Sequence, residues 1–435
     1  MSVVTVNKLA ENQTPLHGAE QNDAAVRQHR CLCCNAQLRH VFVDLGTSPL
    51  CESFLSADQL DQPEPFYPLK VFVCEKCLLV QLPAHVGGES IFSEYAYFSS
   101  FSTSYLEHAR QNVEAIIPRF NLGSDSFVVE VASNDGYLLR NFVEHGIPCL
   151  GIEPAANIAR MAEERGIPTL VKFFGQQTAR EVAGKGRHAD LITANNVLAH
   201  VPDLHDFVGG LKILLAEQGV AVMEIQYLPR LMQRNQFDTI YQEHYCYYTL
   251  NALQNVLAAH QLVIFDAEEV VTHGGSIRIY ASHAGSSHAE ISPRVARLLA
   301  MERSGGLHEI AGYAGFADKV VEVKRQLLEF LIQAKRKGTS VVGYGAPGKG
   351  NTLLNYCGIR ADFLDYTVDR NPYKHGKFLP GSRIPIYSPE QIAQTQPEFV
   401  LILPWNLRDE ISQQLQYIRQ WGGKFVVPIP ELEIW

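Results

Sequence analysis

Four cysteines in two short pairs carry the first chemistry legible in this chain. Cys31 and Cys34 form one C-x-x-C, and Cys74 and Cys77 form a second. Two such knuckles can gather four thiolates into a tetrahedron around Zn²⁺. Four thiolates leave no open coordination position, so the expected ion is structural, not catalytic. A short unit with little core of its own draws much of its folding free energy from such a metal. Cys33 is the spare residue, because an i, i+3 pair closes around an ion more readily than adjacent residues do.

Acid–base chemistry is concentrated behind two later strand-like runs. His200 follows Asp190–Asn196, and Tyr241-Gln242-Glu243-His244-Tyr245 follows Gly219–Ile225. This density of Tyr, Glu and His is poor core material, since a buried Glu would need a partner. A neutral imidazole takes a proton near pH 7, and a phenol donates to a developing oxyanion. Glu243-His244 lacks the H-E-x-x-H layout of a zinc hydrolase, so the pattern reads as proton transfer.

Two turns could hold nucleotide ligands. In Phe127–Gly136 an apolar strand ends at Glu130, and Ala132, Asn134 and Gly136 fill a turn of small residues into a helix. This is not the G-x-G-x-x-G of a dinucleotide fold, but it matches the looser layout of class I S-adenosylmethionine methyltransferases. Glu153 closes the next strand about twenty positions on, where a carboxylate can accept hydrogen bonds from a ribose diol. Asn195 ends a further strand at the same carboxyl edge. The second turn, Gly343–Gly350, nearly spells a Walker A motif, but Gly350 stands where Ser or Thr would bind Mg²⁺. ATPase activity is thus disfavoured. The helix start at Gly348 and Asn351, with Lys349, is instead expected to hold a diphosphate. Asp369 imitates the acidic residue of an NAD site, which makes an NAD-dependent nucleotide-sugar dehydrogenase the alternative reading.

The elements that must position these residues follow from patterning. Residues 1–25 are polar and aperiodic and read as a flexible extension. Residues 26–90 hold two strand-like pieces, His40–Leu45 and Pro68–Val73, beside the cysteine pairs. From 91 to 290 strands alternate with helices, the grammar of a parallel sheet covered on both faces. From 291 to 435 a polar helical stretch, Ser292–Arg336, leads into a second, smaller α/β unit. The chain of 435 residues is 46% hydrophobic, enough for each unit to bury a core. With 37 Lys+Arg against 46 Asp+Glu the net charge is −9, which argues against nucleic-acid binding through bulk positive charge. No apolar run reaches the roughly 20 residues of a membrane helix, and no signal peptide is visible. The odd count of 9 Cys fits reduced thiols in a cytoplasmic protein.

Taken in order, these motifs resemble the sugar C-methyltransferases that methylate C-3 of nucleotide-linked 4-keto deoxyhexoses. The likeness runs from Cys31 to Trp435. It includes Ser93–Ser100, Val129–Tyr137, Asn195–His200, Tyr241–His244, Gly343–Thr352 and Pro404-Trp405-Asn406-Leu407. It implies a small zinc-binding unit, a class I methyltransferase of Rossmann-like doubly wound α/β fold, and a carboxy-terminal Rossmann-like unit that helps bind the sugar nucleotide. It implies S-adenosylmethionine and structural zinc as cofactors, and a nucleotide sugar (dTDP expected) as the only partner, in a monomer or weak homo-oligomer. His244 is implied as the general base, with Tyr241, Glu243 and His200 as neighbours. Tyr95 is implied to approach the sugar, with Tyr97 among the substrate-binding residues. A 4-ketone acidifies the hydrogen at C-3. Its removal leaves an enolate that attacks the sulfonium methyl, so a base, an oxyanion donor and alignment are required.

Overall fold

A computed structural model describes residues 29–88, 99–288 and 290–435. The first sheet is antiparallel: β1 (His40–Ser48), β2 (Tyr67–Val73) and β3 (Val80–Gln81), in that order. Its outer position is filled by a strand from far along the chain, β9 (Cys246–Tyr247), paired with β3. The unit therefore does not close on itself. Phe42, Leu69 and Val71 join the core of the carboxy-terminal unit, while Cys31, Cys74 and Leu79 join that of the central one. A short segment with little core of its own is stabilised by packing between two larger neighbours.

The central sheet has the order β10-β11-β8-β7-β4-β5-β6. β4 (Val128–Val131), β5 (Cys149–Ile152), β6 (Thr169–Leu170), β7 (Ala189–Asn195) and β8 (Leu215–Gln226) run parallel. The apolar runs of β4, β7 and β8 are buried on both faces, as a covered parallel sheet requires, while β5 and the edge strand β6 are partly exposed. β10 (Leu262–Val270) and β11 (Ser276–His283) form an antiparallel hairpin against β8, which the reading of a parallel sheet missed. Two strand-length apolar runs split by His273-Gly274-Gly275 are the signal that could have found it. Successive strands build outward in opposite directions from β4, so a crevice opens at the carboxyl ends of β4 and β7.

Helix α1 (Thr103–Arg119) covers that crevice. Ser102 caps it by accepting from the Tyr105 amide at 3.3 Å. His108 ties it to the sheet, with Nε2 2.9 Å from both oxygens of Glu224, a fully buried carboxylate that also accepts from Arg278 Nε at 2.9 Å. The chain leaves β4 through the turn into α2 (Leu139–Glu144). The third sheet orders β14 (Ile386–Tyr387), β13 (Thr367–Val368), β12 (Val341–Tyr344), β15 (Phe399–Ile402), β16 (Lys424–Val427) and β17 (Glu433–Ile434). Only β17 is antiparallel to its neighbour. Helix α3 (Phe316–Arg336) buries its Val320, Val323, Leu327 and Leu331 stripe beside this sheet. Helix α4 (Gly348–Cys357) begins at Gly348, earlier than Asn351, so Lys349 sits in its first turn. Among the described residues no helix is long and apolar enough to cross a membrane.

Candidate active site

The four knuckle sulfurs lie within 4.8 Å of one another, with Cys31 Sγ 3.4 Å from Cys77 Sγ and Cys34 Sγ 3.5 Å from Cys74 Sγ. A tetrahedron of Zn–S bonds near 2.3 Å has edges of about 3.8 Å, so the donor set fits the ion. Crowded thiols resist ionising together: contact with Cys77, then burial, pushes Cys31 up to about 12. A divalent cation removes that penalty. Cys33 stays outside the group, but its backbone N–H points at Cys31 Sγ at 3.4 Å. Gln81 was not foreseen. Its Nε2 donates to Cys31 Sγ at 3.2 Å and its Oε1 accepts from the Leu32 amide at 2.8 Å, which orients the first knuckle.

One cavity of about 1450 Å³ opens at the carboxyl edge of the central sheet, with walls from all three units. On one side Ala132 (φ 52°) and Asn134 (φ 50°) hold left-handed backbone that non-glycine residues seldom adopt. Glu153 holds the Asn134 end of the turn: Oε2 accepts from the Asn134 amide and Oε1 from the Ala155 amide, each at 2.9 Å. Burial pushes the Glu153 carboxyl up, and the two amides pull it back down. Each oxygen keeps a further acceptor position for a hydroxyl on the ligand. Asn195, Phe173 and Phe174 continue the wall. These residues suit the polar and apolar parts of S-adenosylmethionine.

Two expected contacts with the cofactor are not at the cavity surface. Glu130 is 1% exposed and lies beneath the turn, its carboxyl pushed well up by burial and then by Glu153 and Asp135. Gly136 is favoured by its left-handed backbone (φ 77°), and a Cβ there would also sit 2.2 Å from Ile167 Cδ1.

Across the cavity, His200 and His244 meet edge to face with ring centres 4.6 Å apart. Tyr241 lies over His244 at 4.1 Å. Nδ1 of His244 is 2.7 Å from the Thr239 carbonyl oxygen. A carbonyl only accepts, so Nδ1 carries the proton and Nε2 presents a lone pair. Burial, and then the neighbouring His200, hold this imidazole well below its usual range and hence neutral. Burial also lowers His200 to about 4. Glu243 accepts from Cys51 Sγ at 3.4 Å, on the side of the first unit. The rest of the aromatic cluster is structural, contrary to its reading as poor core material. Tyr245 and Tyr248 are fully buried, donating to the carbonyls of Val86 and Leu198, and Gln242 donates to Ser48. The polar ends of Tyr245 and Gln242 dock the first unit onto the central one, and that of Tyr248 ties β9 to the loop after β7.

The second glycine-rich turn departs from expectation. Lys349 reaches the cavity, with Nζ donating to Asn406 Oδ1 at 2.8 Å and lying 4.9 Å from the centre of the Trp405 ring. Asn351 is 1% exposed and off the cavity wall, so it is not placed to touch a substrate there. The Gly348 amide faces the carboxyl of Glu52, and Asp369 takes the amides of Ala346 at 2.7 Å and Asn371 at 2.8 Å. The acid that imitated an NAD site thus holds its own loop. Tyr95 and Tyr97 lie outside the described residues.

Sequence reasoning also missed His273. It lines the cavity in the β10–β11 turn with φ 52°, edge-on to Tyr105 at 5.4 Å.

Comparison with known proteins bears on the same three units. A zinc binding domain family matches residues 31–92, a methyltransferase domain family 105–266, and a C-methyltransferase C-terminal domain family 271–430. C-methyltransferase NovU of Streptomyces niveus is 38% identical over 389 residues, 89% of this chain and 92% of NovU. Among solved structures, an S-adenosylmethionine-dependent methyltransferase from Clostridium acetobutylicum is 14% identical with a TM-score of 0.34, covering 41% of this chain and 92% of its own. The PH0226 protein of Pyrococcus horikoshii is 12% identical with a TM-score of 0.37, covering 45% and 97%. The likeness to NovU spans nearly the whole of both chains, so this chain belongs to the C-methyltransferase family, with S-adenosylmethionine and zinc as its cofactors and a class I methyltransferase fold at its centre.

Proposed function

We propose that this C-methyltransferase adds the methyl of S-adenosylmethionine to C-3 of a nucleotide-linked 4-keto-6-deoxyhexose, dTDP-linked by preference, through an enolate. The observation that carries the reading is the state of His244. Its Nδ1 proton is held by the Thr239 carbonyl, and its Nε2 faces the cavity shared with the Glu153 turn. An uncharged imidazole in that tautomer can take a carbon-bound proton directly. In the reaction Nε2 of His244 removes the C-3 hydrogen, and Tyr241 and His200 orient the imidazole by ring contact. S-adenosylmethionine, when bound along Ala132, Asn134, Glu153 and Asn195, supplies the electrophilic methyl. Glu243 faces the sugar from the side of the first unit. Zinc, held by Cys31, Cys34, Cys74 and Cys77, supports the fold that presents Cys51, the donor to Glu243. The work falls to alignment and proton transfer.

The test is methyl transfer against a panel of dTDP-, CDP- and GDP-4-keto sugars, with solvent-deuterium exchange at C-3 in the absence of methyl donor. Wild type is expected to exchange and methylate at least one sugar, and His244→Asn to lose both while binding both ligands. Exchange at the wild-type rate in His244→Asn, but none in His200→Asn, would make His200 the base.

A further inference from the structure

The surroundings of Lys349 give it a task other than the diphosphate grip its sequence context implies. A diphosphate at the start of α4 would approach the Ala346–Gly348 turn, where two carboxylates already stand. The Ala346 amide already donates to Asp369 Oδ2 at 2.7 Å, and the Glu52 carboxyl faces the Gly348 amide. A Cβ on Gly348 would meet Cys51 Sγ at 2.9 Å, so the first unit sits directly on this helix start. The cation beside it is Lys374, 3.5 Å from Glu52 and donating to the Ala346 carbonyl at 2.8 Å. Two carboxylates facing the turn repel a diphosphate.

Lys349 instead turns away from them, toward the cavity wall made by Asn406 and Trp405. Its counter-charge is Asp238, fully buried and accepting from Trp405 Nε1 at 2.7 Å. Burial pushes that carboxyl up and the Lys349 ammonium down, and each charge opposes the other's shift. The groups around His244 then divide by charge. Burial, and then Cys51, Glu243 and Glu52, which line the same cavity, disfavour negative charge on Tyr241. Lys349 and His273 line the same cavity as His244, and both disfavour positive charge on it. Removing the C-3 proton sends negative charge to the oxygen on C-4, and this charge is stabilised where the cation is.

We propose that Lys349, steadied by Asn406 and Trp405, is the catalytic donor to the C-4 oxygen. The inference rests on the reaction proposed above. The C-3–H bond breaks and its proton goes to Nε2 of His244. The electron pair forms the C-3–C-4 double bond and the carbonyl pair moves onto the oxygen, which accepts a hydrogen bond from the Lys349 ammonium. In methyl transfer that pair returns to the carbonyl, C-3 bonds to the methyl, the S–CH₃ bond breaks, and a neutral thioether leaves. His244 then yields its proton to solvent.

The experiment compares wild type, Lys349→Met, Lys349→Arg and Asn406→Ala in the full chain. C-3 deuterium exchange is followed at saturating dTDP-4-keto-6-deoxyhexose, and the affinities for dTDP and S-adenosylhomocysteine are measured by calorimetry. Exchange should fall about 100-fold in Lys349→Met, the usual effect of removing one oxyanion donor. Partial rescue is expected in Lys349→Arg, and an intermediate loss in Asn406→Ala, with both affinities little changed. Retained S-adenosylhomocysteine binding certifies the fold. Normal exchange at saturation in Lys349→Met, with dTDP affinity reduced tenfold or more, would return Lys349 to the diphosphate. A wild-type enzyme that exchanges no C-3 hydrogen would overturn the reaction itself and the role of Lys349 with it.

Discussion

Glu153 offers the sharpest test of the cofactor site because it does two jobs that can be measured apart. Its two oxygens each satisfy one backbone amide, at Asn134 and Ala155, and the side chain is 5% exposed. Leaving a buried donor unsatisfied costs about 1–3 kcal/mol, so Glu153→Ala should destabilise the ligand-free protein by roughly 2–6 kcal/mol. The left-handed Asn134 turn then loses the contact that holds it. Glu153→Gln keeps one acceptor for one amide, so its structural loss is about half as large. The contact with the ligand is separate: a hydrogen bond to a charged group contributes about 1.5–3 kcal/mol, or roughly 10- to 150-fold in affinity. Calorimetric titration with S-adenosylhomocysteine, alongside thermal unfolding without ligand, reads both. Glu153→Gln should bind roughly 10- to 150-fold more weakly with a modest fall in melting temperature, and Glu153→Ala should lose more of each. If Glu153→Gln unfolds earlier yet binds at wild-type affinity, Glu153 only pins the turn, and the ribose contact is wrong.

Freshly purified protein should carry one zinc per chain by elemental analysis and keep it in Cys33→Ala. Gln81→Ala should release zinc to a chelator about tenfold more readily, because the N–H donor to Cys31 is gone; unchanged release would confine Gln81 to packing. The C-3 exchange rate should stay level as pH falls through 6.5. The folded-state pKa of His244 is lowered, so the base form persists below the ordinary imidazole range and activity is lost only nearer the lowered value. An acid limb centred near 6.5 would contradict this. Gly136→Ala should destabilise the central unit by about 1–3 kcal/mol, since its Cβ would collide with Ile167 in a backbone already at φ 77°. A melting temperature equal to wild type would show that the turn can move.

Local chemistry was readable from the chain because it depends on short spacing. The two C-x-x-C pairs, the strand-to-turn boundary at Glu130–Gly136, the carboxylate at Glu153 and the histidines behind β7 and β8 all declare themselves within a few residues. Periodicity likewise identified most of the parallel strands, whose apolar runs reflect burial on both faces, but not the two-residue edge strands β6 and β14. What required the tertiary structure was every assignment resting on a partner distant in sequence. Glu130 and Gly136 carry the expected residue types, yet packing turns them away from the cavity and leaves Ala132, Asn134 and Glu153 on its wall. The tautomer of His244 is set by a carbonyl whose direction only the folded loop defines. Tyr245 and Gln242 resemble catalytic residues in sequence and serve as docking contacts, because the first unit borrows β9 to complete its sheet. The near-Walker turn differs most from its sequence reading. Its glycines and lysine suit an anion, but chain folding brings Glu52 and Asp369 onto the amides first and leaves Lys349 facing the cavity. Spacing along the chain specifies which groups are available, and the energy of burying their charges together decides which of them meet a ligand.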